Sequence, residues 1–205
     1  APRTKTDDPA LAAFMAEYAS DAFVEDFLSL TTEDAAALAL SLWDFNRANE
    51  TTPDRAIRVH RATGANGKPL KMDIAEIVGA DIAFLVDSAI NVCQHARAEV
   101  RAVLHPVVTG PLGKRSTIQI HLPLLDDQFR TDLQKQLETT FADVAVVNAD
   151  FVAMRAKMES ASAALASVKV TGGRTSAEIT EARAFLAWLA DENFTYLGAR
   201  DYTFA

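Results

Sequence analysis

The most restrictive feature of this chain is a strand that feeds directly into a helix. Residues 70–78 read Leu-Lys-Met-Asp-Ile-Ala-Glu-Ile-Val, a strand-like run. The run leads through Gly79-Ala80-Asp81 into Ile82 to Ala96, where Leu85, Val86, Ala89, Val92, Cys93 and Ala96 recur at helical spacing. Val100 to Thr109 then reads as a strand, Gly110-Pro111-Leu112-Gly113 as a turn, and Ser116 to Leu122 as the paired strand. In that last strand Ile118, Ile120 and Leu122 share one face. Asp126 to Phe141 reads as a helix with Phe129, Leu133, Leu137 and Phe141 one turn apart, and Val144 to Asn148 as a short strand. Counted from Lys71 the order is β-α-β-β-α-β, the split βαβ or ferredoxin-like arrangement. The expected fold class is therefore α+β: a four-stranded antiparallel sheet with two helices on one face.

The flanks extend this frame. Arg55 to Arg61 alternates with period two, and Gly64-Ala65-Asn66-Gly67 is a hairpin signal, so a strand arm precedes the run at Leu70. Before it, Leu11, Phe14, Met15 and Tyr18 mark one helical face, and Phe23, Phe27 and Leu28 mark a second, shorter one. Thr31-x-x-Asp34 resembles a capping box for a helix through Leu38, Leu42 and Phe45, ending near Asn49. After the sheet, Asp150 to Val168 reads as a helix and Val170 to Thr175, with Gly172-Gly173, as a linker. Thr175-x-x-Glu178 opens another helix with Ile179, Ala182, Phe185, Leu186 and Leu189 inward. Thr195 to Phe204 reads as a strand without a successor, as in a piece of something longer. The division expected is 1–50 helical, 51–150 sheet domain with its arm, and 151–205 a connecting helix and the start of a next domain.

Composition narrows the function. The chain has 205 residues, 49% hydrophobic and 23% charged, the balance of a soluble globular protein. No run approaches the roughly 18 apolar residues of a membrane helix. The net charge is −8, and residues 1–50 hold ten acidic against three basic side chains. An acidic chain without a basic stripe argues against nucleic acid. The single cysteine, Cys93, excludes an intrachain disulfide and fits a reducing, cytoplasmic setting.

Few motifs carry chemistry. No Gly-x-Gly-x-x-Gly follows a strand, so no dinucleotide fold is expected in this segment. Gly110 to Ser116 lacks phosphate-loop spacing and joins two strands. His105 and His121 flank that turn, but no further ligand completes a metal site. No catalytic residue is assigned. The feature with binding chemistry is the turn into the first sheet helix. Backbone N–H groups at a helix start suit an anion or carboxylate. The candidate ligand-binding residues are Gly79, Ala80, Asp81 and Ile82, with Asp87 and Ser88 following. Asp81 is also placed to cap the helix and compete for the same donors.

Two blocks carry a family resemblance. Asp81-x-x-Phe84-Leu85-Val86-Asp87-Ser88 resembles the Asp-Met-Pro-Phe-Leu-Val-Asp-Ser segment near the N-terminus of the large-subunit class of NAD-specific glutamate dehydrogenases, with Ile82-Ala83 where the family tends to carry Met-Pro. The stretch from Glu181 through Phe185, Trp188, Asn193, Phe194, Leu197, Gly198 and Arg200 to Tyr202 is similar to a second block of that family. The resemblance implies an ACT-like module ahead of a catalytic core that converts glutamate, NAD and water to 2-oxoglutarate, ammonia and NADH. It implies NAD in the parent and no cofactor in this fragment. The partners implied are downstream catalytic domains, further copies of the chain and a small amino-acid effector. A stand-alone amino-acid-sensing module and a purely structural oligomerisation region are the alternatives.

Overall fold

The computed structural model describes residues 8–20, 30–168 and 175–202. The expected face of Phe23, Phe27 and Leu28, the Gly172-Gly173 linker and the chain end at Phe204 lie outside those residues. The chain divides between Val144 and Ala145 into two compact units.

In the first unit, α1 (Pro9–Ser20) and α2 (Thr32–Ala48) precede the hairpin of β1 (Ala56–Thr63) and β2 (Pro69–Ala80). Then come α3 (Leu85–His95), β3 (Ala102–Leu104), β4 (Val107–Gly110), β5 (Gly113–Leu122) and α4 (Asp127–Ala166), whose later turns lie in the second unit. The protein is α+β, with an antiparallel five-stranded sheet of order β1-β2-β5-β3 and β4 also paired to β5. The hairpin signal is realised: Gly67 takes φ 74°, and Gly64 exchanges backbone contacts with Lys68 and Gly67.

Two expectations about the sheet are corrected. Val144 to Asn148 is not a strand but part of α4. No Gly or Pro occurs between Asp127 and Ala166, so nothing in the sequence stops the helix. Val144 joins Leu133, Leu137 and Phe141 on its buried face. The place beside β2 that a fourth ferredoxin-like strand would take is filled by β1, paired from Ala56–Val78 to Thr63–Pro69. The expected strand Val100 to Thr109 is broken into β3 and β4 at His105-Pro106. Proline has no N–H for the ladder, and its carbonyl instead accepts from Thr117 N–H and Oγ1.

The sheet is covered on both faces. Ala75, Ile77, Ile118, Ile120 and Leu122 meet α3 and α4 through Leu85, Ala89, Cys93, Leu133 and Leu137. The opposite face meets α1 and α2, where Phe14, Tyr18, Leu42 and Trp43 pack with Val78 and Leu104. Full burial of such a side chain contributes about 1.5–3 kcal/mol. Thr31 caps α2 by accepting from Asp34 N–H, but the box is only half made: the Asp34 carboxylate accepts from Ala65 N–H.

The second unit contains the end of α4, α5 (Ser176–Trp188) and a π-helical turn at Leu189–Asn193. The Thr175–Glu178 capping box is complete. The inward face expected on α5 is not buried: no residue of the helix is, and Phe185 is 57% exposed. Residues 195–202 form no strand. The described residues of this unit are otherwise helical and offer no sheet edge to pair with. Tyr196 is buried against the Phe151 and Phe194 rings instead.

Candidate functional site

Arg55 covers the end of β2 at Gly79, while Ala80 and, in the turn that follows, Asp81, Ala83 and Phe84 are exposed. Gly79 and Ala80 are the last residues of β2, opposite Ser116 and Arg115 of β5. The Arg55 side chain lies flat on Gly79, where an added Cβ would sit 3.1 Å from the guanidinium. Arg55 Nη2 donates to the Ala80 carbonyl at 2.7 Å, and its Cζ stands 5.3 Å from the Phe141 ring centroid. Nη1 is buried without a hydrogen-bond partner. Burial, reinforced by the Arg115 charge and opposed by Asp81, lowers the Arg55 pKa to about 10.

Asp81 N–H donates to the Lys114 carbonyl. The helix expected from Ile82 begins at Leu85, because Phe84 takes the left-handed conformation at φ 70° and serves as N-cap. No side chain caps α3, so the expected Asp81 cap is not made. Ile82 packs against the core. Asp87 is exposed in the first turn of α3, where a negative charge suits the helix dipole. Ser88 N–H donates to Phe84 O.

A second constellation is invisible in any one segment. Between the sheet and α1/α2 lies a connected polar layer. Glu76 is fully buried, with the Arg58 guanidinium 2.5 Å and His60 Nε2 3.1 Å from its Oε2. Its Oε1 accepts from Gln119 Nε2 at 2.8 Å. The same Nε2 donates to the Leu38 carbonyl of α2. Gln119 Oε1 accepts from Tyr18 Oη of α1 at 2.6 Å and faces His121 Nε2 at 3.0 Å. Arg58 reaches α2 through Ser41 O and Oγ and lies 4.2 Å over the Phe45 ring. Arg115 is 1% exposed and donates to Asn46 Oδ1, Asn49 O and Thr52 O, which ties β5 to the carbonyl end of α2.

The electrostatics follow from this enclosure. Burial pushes the Glu76 pKa up, but the bond from His60 and the Arg58 charge, with Gln119, outweigh it and hold the carboxylate below its usual range. Burial, then the Glu76 charge, raises the Tyr18 phenol and keeps it a donor. The signal available in the sequence was the parity of β2 and β5, which puts Glu76, Gln119 and His121 on the face opposite Ile77 and Ile118.

The two histidines flanking the β4–β5 turn do not converge. His105 Nε2 meets Ser116 Oγ, while His121 joins Gln119. Cys93 is buried in the core, which pushes its thiol up to about 11. Among the described residues no group of three or more His, Cys, Asp or Glu side chains could hold a metal ion, and no helix is long and apolar enough to cross a membrane.

The family model for the glutamate dehydrogenase ACT1 domain matches residues 14–137, more than half of the chain. The chain belongs to the glutamate dehydrogenase ACT1 domain family. No curated protein matches it. The match starts at Phe14 in α1 and ends at Leu137 in α4, so the ACT1 domain takes in part of α1 and the whole of α2 as well as the sheet. The polar layer from Tyr18 to His121 therefore lies wholly inside the family domain.

Proposed function

We propose that this chain is the N-terminal regulatory and assembly region of a cytoplasmic, NAD-dependent glutamate dehydrogenase, with catalysis and NAD binding carried by other domains of the parent. The observation that carries the reading is the ACT1-domain match over residues 14–137. A small amino-acid effector would bind at the turn of Gly79, Ala80, Asp81 and Ile82, with Asp87 and Ser88 beside it. Support comes from the absence of a side-chain cap on α3, whose first N–H groups, from Leu85 to Asp87, follow directly on that turn. Self-association belongs to the same proposal. The sheet edges are guarded, since Gln134 accepts from Val59 N–H and Glu17 from Val107 N–H. The exposed apolar residues of the second unit, Phe185, Trp188, Leu197 and Tyr202 among them, favour contacts there instead.

Deletion of the gene that encodes this chain should remove NAD-linked glutamate oxidation from cell extracts, and the purified chain should produce no NADH from glutamate and NAD. Unchanged activity in the deletion extract would refute the assignment. Light scattering should show an oligomer at micromolar concentration.

A further inference from the structure

The two helices that cover one face of the sheet leave a groove between them of about 530 Å³. That volume falls within the roughly 300–1,000 Å³ of small-molecule sites. From α3 it is lined by Ser88, Asn91 and His95, one to two turns apart, with Val92 among them. From α4 it is lined by Lys135 and Thr139. No carboxylate lines it, although the chain carries a net charge of −8.

The donors are available. Lys135 forms no ion pair among the described residues. His95 Nδ1 lies 2.8 Å from the Asn91 carbonyl, which can only accept, so Nδ1 carries the hydrogen of the neutral ring and Nε2 presents a lone pair; the donors beside Lys135 are the Asn91 amide and the Ser88 hydroxyl. The groove on the other flank of α4, toward Val59, gives the contrast. It shares Lys135 but also holds Asp127, Glu138 and Arg130, so its charges are compensated internally.

We propose that the groove between α3 and α4 binds a small carboxylate, with Lys135 Nζ making the charged contact and Asn91 and Ser88 the hydrogen bonds. This site is distinct from the Gly79–Ile82 turn, and the proposal does not depend on the turn binding anything. An open groove with one ammonium implies modest affinity that weakens as salt is added.

The test is an amide NMR titration of the 205-residue chain with glutarate and, separately, with its neutral isostere glutaramide. Glutarate at millimolar concentration should give saturable shifts at Ser88, Asn91, His95 and Thr139, and glutaramide should not. Lys135→Met, on an exposed helix position, should weaken glutarate binding about tenfold without changing the melting temperature. Four outcomes would overturn the proposal: no saturable shifts, shifts confined to Gly79–Leu85, equal response to glutaramide, or unchanged affinity in Lys135→Met.

Discussion

Glu76→Gln tests the polar layer with almost no change in shape. All three partners of the Glu76 carboxylate present hydrogen: Arg58 and His60 to Oε2, Gln119 to Oε1. A glutamine amide has one oxygen and one NH₂. In either orientation the NH₂ faces a donor, Arg58 or Gln119, and one buried contact becomes repulsive. Removing one partner from a buried, hydrogen-bonded pair typically costs about 3–5 kcal/mol. Glu76 is fully buried while Arg58 keeps partial access to water, which places the expected loss near the lower end, at about 3 kcal/mol. With a urea slope of about 1–3 kcal/mol/M, the unfolding midpoint should fall by at least 1 M. The assay is urea unfolding followed by Trp43 fluorescence in a Trp188→Phe background. Trp43 is buried in the α1/α2 layer against Phe14, so its signal reports the first unit. A loss below about 1 kcal/mol would mean that the carboxylate is not the charged hub of the layer.

The remaining predictions concern neighbouring features. Because the folded-state pKa of Glu76 is depressed, its contribution is complete above the unfolded value near 4.5 and is lost as pH falls through the lower folded value. The stability gap between the parent chain and Glu76→Gln should therefore narrow in acid; a constant gap from neutral pH to acid would contradict this. Arg115→Met removes the donors to Asn46, Asn49 and Thr52 and should cost about 2–4 kcal/mol. Amide exchange should rise first in the last turn of α2, and unchanged protection there would argue against the tie. Phe84→Gly relieves a left-handed bulky residue that is 40% exposed, and should be neutral or stabilising by about 1 kcal/mol in thermal melts. A marked loss would show that the ring contributes more than its backbone costs.

Local signals in the sequence carried much of the first unit. The Asn66-Gly67 hairpin, the helical face of Leu11, Phe14 and Tyr18, and the alternation of Ile118, Ile120 and Leu122 each state which side of an element is apolar. Such patterns depend only on the period of the element. The Thr175–Glu178 box was equally local and is formed as read. The periodicity of Ile179 to Leu189 was also local, yet that face of α5 is not buried, because a pattern names an apolar side without supplying its cover.

What the tertiary structure decided was which element occupies each place. Val144 to Asn148 has strand-like composition, but β1 already holds the edge of β2, and an unbroken helix continues through it. The Gly79-Ala80 end of the candidate turn belongs to β2, and the Arg55 guanidinium that meets the Ala80 carbonyl comes from 25 positions away. Tyr18 and Gln119, 101 residues apart, meet only because α1 lies over β5. Period and capping act within a few residues, where the backbone fixes the geometry. Strand order and buried polar contacts depend on competition among distant segments for the same hydrogen bonds, and only the folded chain resolves that competition.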